Sequence, residues 1–108
     1  MEGVEVKQIT QDDFHKLIKE EDKLIVIDFF ATWCGPCKMI SPKIKQFANN
    51  YVEKVVFVKV DVDEQEELAQ ECNIEAMPTF LLYKGGSKVG EMKGANAEKL
   101  EELVKEHM

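Results

Sequence analysis

The sequence predicts an α/β protein whose central mixed β-sheet joins a βαβ unit to a ββα unit, with helices on both faces. Three observations carry that expectation. Two nearly continuous apolar runs, Leu24 to Phe30 and Val55 to Val62, are rich in β-branched residues, as strands covered on both faces are. Between them, from Cys34 to about Asn50, the residues Cys37, Ile40, Ile44, Phe47, Ala48 and Tyr51 follow helical spacing. Strand, helix and strand in one sheet imply parallel pairing through a crossover. The last third changes character: Thr79 to Tyr83 and Lys88 to Met92 flank Gly85-Gly86-Ser87, a glycine-rich hairpin connection, before a final helical stretch.

Taken in order, Val4, Val6 and Ile9 read as a short alternating strand. Thr10 has the character of an N-cap, with Asp13 three residues on and Ile9 able to staple against Phe14. Phe14, Leu17 and Ile18 then give a helix with one apolar stripe. Pro42 interrupts the long helix. It removes one backbone bond, and because the pattern continues beyond it a kink is expected instead of a stop. Asp63 with Glu66 would cap a short helix carrying Leu68, Ala69 and Cys72, and the last helix, about Ala97 to Glu106, presents Leu100, Leu103 and Val104. No linker, repeat or low-complexity tract interrupts this order, so residues 1–108 are expected to form a single domain.

Composition narrows the function. The 108 residues are 44% hydrophobic and 32% charged, ordinary for a globular domain. A net charge of −7 argues against nucleic acid or an anionic membrane as the main partner. No apolar run approaches the ~18 residues of a membrane span, and the opening residues Met1 to Lys7 lack the basic and apolar regions of a signal peptide. A cytoplasmic location is the expectation. Three cysteines, Cys34, Cys37 and Cys72, are too few for a disulfide scaffold. Zinc usually takes four ligands and one C-x-x-C supplies two; His15 and His107 lie near opposite ends of the chain, so no metal site is expected. The acidic run Asp61 to Glu67 reads as a solvated cap and helix face, Gly85-Gly86 as a turn and not a phosphate loop, and Cys72 as a small buried hydrophobe.

The chemistry concentrates in Trp33-Cys34-Gly35-Pro36-Cys37, between an apolar strand and the long helix. A cysteine attacks as its thiolate, and a helix start stabilises that anion through unpaired N–H groups and the positive end of the helix dipole. Cys34 is expected in the first turn, with Cys37 one turn on and able to close a disulfide back onto it. Pro36 costs little there, because a first-turn N–H has no intrahelical partner to lose. Trp33 either covers the core or offers an apolar platform to an incoming chain. Asp28 stands in a buried strand, where desolvation should raise its pKa; it is either paired with Lys59 for structure alone or kept for chemistry.

Together with Asp28, Lys59, Asp61, Met77-Pro78-Thr79 and Gly94, the Trp33-Cys34-Gly35-Pro36-Cys37 motif resembles the thioredoxin family over almost the whole chain. The wording of Phe30-Ala31-Thr32 and Gly94-Ala95-Asn96 is similar to animal cytosolic members. The resemblance implies the thioredoxin fold and a protein-disulfide reductase working through a mixed disulfide, with Cys34 as nucleophile, Cys37 as resolving thiol and Asp28 as general base. It further implies that Gly35, Pro36, Lys59 and a cis Pro78 shape the site, and that Trp33, Ala76, Met77, Pro78 and Gly94 line a shallow target groove. Disulfide-containing proteins would be the targets. With no Gly-x-Gly-x-x-Gly and no cofactor of its own, the chain would draw electrons from an NADPH-dependent thioredoxin reductase. Ala76 replaces the exposed cysteine of many vertebrate members, so a mostly monomeric protein is expected. A redox-state-dependent protein-docking module is the alternative from a different class. An oxidase or isomerase disagrees with Gly35-Pro36, where such relatives usually carry a histidine.

Overall fold

The computed structural model describes residues 3–108; Met1 and Glu2, part of the opening stretch read above, lie outside the described residues. Its elements run β1 (Lys7–Gln8), α1 (Gln11–Glu20), β2 (Leu24–Phe30), α2 (Gly35–Asn50), β3 (Val55–Asp61), α3 (Glu66–Glu71), β4 (Thr79–Lys84), β5 (Ser87–Lys93) and α4 (Ala97–His107). The strands form one sheet in the order β1-β3-β2-β4-β5. β3 is parallel to β1 and β2, whereas β4 is antiparallel to both β2 and β5. The mixed sheet of a βαβ and a ββα unit is therefore present.

Residues alternate between two cores because successive strand side chains point to opposite faces. Leu24 and Val26 of β2 join Val55, Phe57, Phe80 and Leu82 under α2 and α4. Ile25, Ile27 and Phe29 join Val58, Val60 and Leu81 under α1 and α3, through Phe14 and Leu68. Both faces of β2 are thus covered, and six of its seven residues are buried. The same alternation places Asp28 on the α2 side, in line with Leu24 and Val26. The register pairs Asp28 with Lys59 of β3, which also falls in the row facing α2.

Thr10 caps α1 in a reciprocal box: its side chain accepts from the Asp13 N–H, and the Asp13 carboxylate accepts from the Thr10 N–H. α2 runs unbroken past Pro42. Gly85 and Gly86 turn the β4–β5 hairpin with φ of +64° and +84°, the left-handed pair a two-residue turn demands. Two expectations shift. The first strand is confined to Lys7–Gln8, the two residues that pair with β3; Val6 and Ile9 flank it and enter the two different cores, while Val4 stays exposed. α3 starts at Gln65 with no side-chain cap. Asp63 does not cap it, being engaged elsewhere, and its own N–H donates to Asp61 Oδ1.

Candidate active site

The antiparallel placement of β4 decides what meets at the rim of the sheet. Because Phe29 of β2 pairs with Thr79, and Thr79 with Lys93, the end of β2, the start of β4 and the end of β5 lie side by side. The segments just beyond them, 31–37, 76–78 and Gly94, are brought together although distant in sequence.

Cys34 is the N-cap of α2, one position earlier than its expected place in the first turn; its backbone is extended and its Sγ accepts the Cys37 N–H at 3.1 Å. Gly35 and Pro36 open the helix and are exposed. Cys34 and Cys37 are joined in a disulfide with Cα atoms 5.3 Å apart. In this oxidised pair both cysteines are buried, at 4% and 6% residual exposure. Ala31 and Met77 pack against them, and the Met77 carbonyl oxygen lies 3.6 Å from Cys34 Sγ. The Met77–Pro78 peptide is cis. Pro78 is buried, and its carbonyl accepts the Gly94 N–H at 2.9 Å. Gly94 has φ of +94°, so a side chain there would be strained even though the space around it is open. Ala76 is exposed, and its carbonyl accepts the Thr79 hydroxyl at 2.6 Å.

Trp33 is 67% exposed and therefore covers no core. Its indole N–H donates to Asp63 Oδ2 at 2.9 Å. The platform reading of Trp33 fits this geometry. Asp63 is a functional candidate that the sequence reading missed, since nothing in the local pattern links two residues thirty positions apart.

Asp28 is 7% exposed, and its Oδ1 has no hydrogen-bond partner among the described residues. Burial pushes its carboxyl from 3.8 up to about 7, and the Lys59 charge works against that rise. No close ion pair joins the two. The Lys59 ammonium lies over the Phe30 ring, 5.4 Å from its centre. A purely structural Asp28–Lys59 pair is therefore a poor description. Asp28 and Cys37 instead line one cleft of about 630 Å³, walled by Lys38, Ser41 and Lys45 of α2 and by Lys59. A carboxyl titrating near neutrality, beside the second cysteine of a helix-capping disulfide, can exchange a proton during thiol–disulfide chemistry.

Cys72 closes α3, is half-buried instead of fully buried, and is not in a disulfide. Burial, with Glu71 adding to it and Lys88 opposing, pushes its thiol up to about 11.

Comparison with known proteins agrees with the geometry. The family model Thioredoxin matches residues 5–106. Thioredoxin-1 of Schizosaccharomyces pombe is 52% identical over 103 residues, covering 95% of this chain and 99% of that protein. Among solved structures, Fasciola hepatica thioredoxin superposes with a TM-score of 0.90 at 46% identity, covering 94% of this chain and 99% of that one. The oxidised form of mitochondrial thioredoxin 3 from Saccharomyces cerevisiae gives 0.87 at 44% identity, covering 94% of each chain. Membership implies disulfide-containing target proteins and a reductase. With a dithiol motif closed into a disulfide at the head of α2, the chain belongs to the thioredoxin family and is a thiol–disulfide oxidoreductase that reduces protein disulfides.

Proposed function

We propose that Cys34 is the attacking sulfur, Cys37 the resolving one and Asp28 the base that takes the Cys37 proton. The observation that carries this reading is the unpartnered Asp28 carboxyl on the cleft wall it shares with Cys37. In the oxidised chain Cys34 Sγ accepts the Cys37 N–H at the helix start, and the same N–H would stabilise a Cys34 thiolate after reduction. It attacks one sulfur of a target disulfide. A Cys34–target bond forms, the target's own S–S bond breaks, and the second target sulfur leaves as a thiolate. Cys37 then gives its proton to Asp28 and attacks Cys34 Sγ. The Cys34–Cys37 bond forms, the mixed disulfide breaks, and the first target sulfur departs as a thiolate. The target has gained two electrons and the protein is left oxidised.

Lys59 favours the ionised form of Asp28 and so keeps a buried acid usable as a base. Gly35 and Pro36 keep the turn between the sulfurs compact and free of side-chain bulk. Trp33, Ala76, Met77, Pro78 and Gly94 form the target groove, in which an extended target segment adds alongside the Met77 backbone. Electrons return from an NADPH-dependent thioredoxin reductase, making the protein an electron carrier that maintains thiols in the cytoplasm. It works as a monomer and one domain. Three cysteines with one close pair, too few for a disulfide scaffold, fit a reducing compartment and support that location.

The test is a set of serine variants incubated with a disulfide-bearing protein. Cys37→Ser should accumulate a covalent adduct that reductant dissolves, and Cys34→Ser should form none. The double variant should retain no partner, whereas retention by it would favour a docking module. Parental turnover by Cys37→Ser would refute the resolving role.

A further inference from the structure

The cleft beside Cys37 differs in charge from the rest of the molecule. The chain carries 21 acidic and 14 basic residues, yet α2 contains Lys38, Lys43 and Lys45 and no acid. Lys38 and Lys45 wall the cleft from α2, and Lys59 walls it from β3. Among the described residues none of these three has a carboxylate within ion-pair distance; the pairs that form are His15–Glu71, Lys88–Glu91 and His107–Glu106, all elsewhere. Among the described residues the only carboxyl on the cleft wall is Asp28, which is buried. Glu5 does not line the cleft; it lines a smaller adjoining recess of about 190 Å³, which shares Asp28, Ser41, Lys45 and Lys59. Three unneutralised lysines thus face one concavity in a protein of net charge −7.

The disulfide consequently has two unlike flanks. On the Cys34 side stand the exposed Trp33 and the Met77 backbone, and on the Cys37 side stands the cationic cleft. We infer that this cleft receives an acidic side chain of the disulfide-bearing partner, so that targets with Asp or Glu next to the reactive cysteine are preferred. On α2, which rises about 1.5 Å per residue, Lys38 stands about 6 Å from Cys34 along the helix and Lys45 about 16 Å. An extended chain advances about 3.3–3.6 Å per residue, so a carboxylate one or two residues from a cysteine bonded to Cys34 reaches about 7 Å and meets Lys38 directly, while Lys45 and Lys59 act on it through the field of the cleft. Like charges on a wrong partner would be repelled from the same place, and this gives selection as well as attraction. The inference rests on disulfide exchange at Cys34–Cys37 and adds the chemistry of the partner to it.

Three peptides, each with one disulfide and identical except for Asp, Asn or Lys beside the attacked cysteine, provide the test. Second-order rates of their reduction by the reduced protein should fall in the order Asp, Asn, Lys. The Asp-to-Lys ratio should be roughly 10 at about 10 mM salt and shrink to about 2 at about 0.5 M, where charges are screened within a few ångströms. Lys38→Glu should collapse or invert that ratio. Lys19→Glu, an equal change of charge in the last turn of α1, should preserve it. The salt dependence of the parent tests the inference even if Lys38→Glu folds poorly. Equal rates for the three peptides, or equal effects of Lys19→Glu and Lys38→Glu, would overturn the inference alone. No exchange with any peptide would overturn the underlying reading with it.

Discussion

Replacing Asp28 by Asn separates what this residue costs the fold from what it contributes to chemistry. On folding, its carboxyl moves from 3.8 to about 7 because it is desolvated and Oδ1 finds no partner. A rise of about three units corresponds to about 4 kcal/mol between the protonation states. The sign follows from proton counting. Between the two values the folded chain holds a proton that the unfolded chain has lost, so stability falls as pH rises through that window. The contribution is complete below pH 3.8, the unfolded value, and gone above about 7. Asn cannot ionise and removes this slope. Above pH 7 the variant should be more stable than the parent by up to about 4 kcal/mol, less about 1–3 kcal/mol for its own unsatisfied amide. Urea unfolding of the oxidised protein at about pH 5 and about pH 8 measures this directly. Turnover should respond in the opposite direction. The parental rate of mixed-disulfide resolution should rise through an inflection near 7. The variant should lose that inflection and run about 10²-fold slower near neutrality, with the gap narrowing in alkali as solvent takes over deprotonation of Cys37. A variant whose stability difference from the parent does not change with pH, and whose pH–rate profile is parental, would refute both halves of the reasoning.

Two further outcomes concern α3. Under mild oxidation the protein should stay monomeric on non-reducing electrophoresis, because the Cys72 thiol is half-buried and held near 11, and Ala76 offers no sulfur. A dimer abolished by Cys72→Ser would show that this thiol is reachable. Asn73 adopts φ of +56° just past α3, where its N–H donates to the Gln70 carbonyl and the Ile74 N–H to the Ala69 carbonyl. Asn73→Ala should cost about 1 kcal/mol in chemical denaturation, and Asn73→Gly much less, since only the alanine clashes in that conformation.

Much of this architecture was legible because it is written locally. β2 and β3 declare themselves by unbroken β-branched runs, α2 by its spacing, the hairpin by Gly85-Gly86, and the α1 cap by Thr10 and Asp13. The core of the site was legible for the same reason, since Cys34 and Cys37 are local to one helix start. Asp28 stood out as a carboxyl in an apolar strand. What escaped was set by distance in sequence. The bond between Trp33 and Asp63 depends on β2 and β3 ending at the same rim, so Asp63, a helix cap by its local pattern, accepts from the indole instead. The first strand is shorter than its apolar pattern because only Lys7 and Gln8 pair with β3, at Val58 and Lys59, a limit set by the partner strand and not by local spacing. The burial of both cysteines under their neighbours is likewise a packing outcome and not a pattern.

The cap of α2 is made by a sulfur that takes part in bond exchange, and this gives the backbone a memory of the chemical state. Ordinary caps are inert, so the amide they satisfy has a constant environment. Here the Cys37 N–H faces a disulfide sulfur in the oxidised chain, and under the proposed mechanism it would face a thiolate after reduction and a partner-bonded sulfur between the two. Each change of bonding at Cys34 alters the charge at the head of a helix that spans sixteen residues. The Cys37 amide is therefore a spectroscopic gauge built into the chain, sensing occupancy of Cys34 without any label. By the same coupling, any reagent that bonds to the free sulfur takes its negative charge away from the head of the helix that carries Cys37.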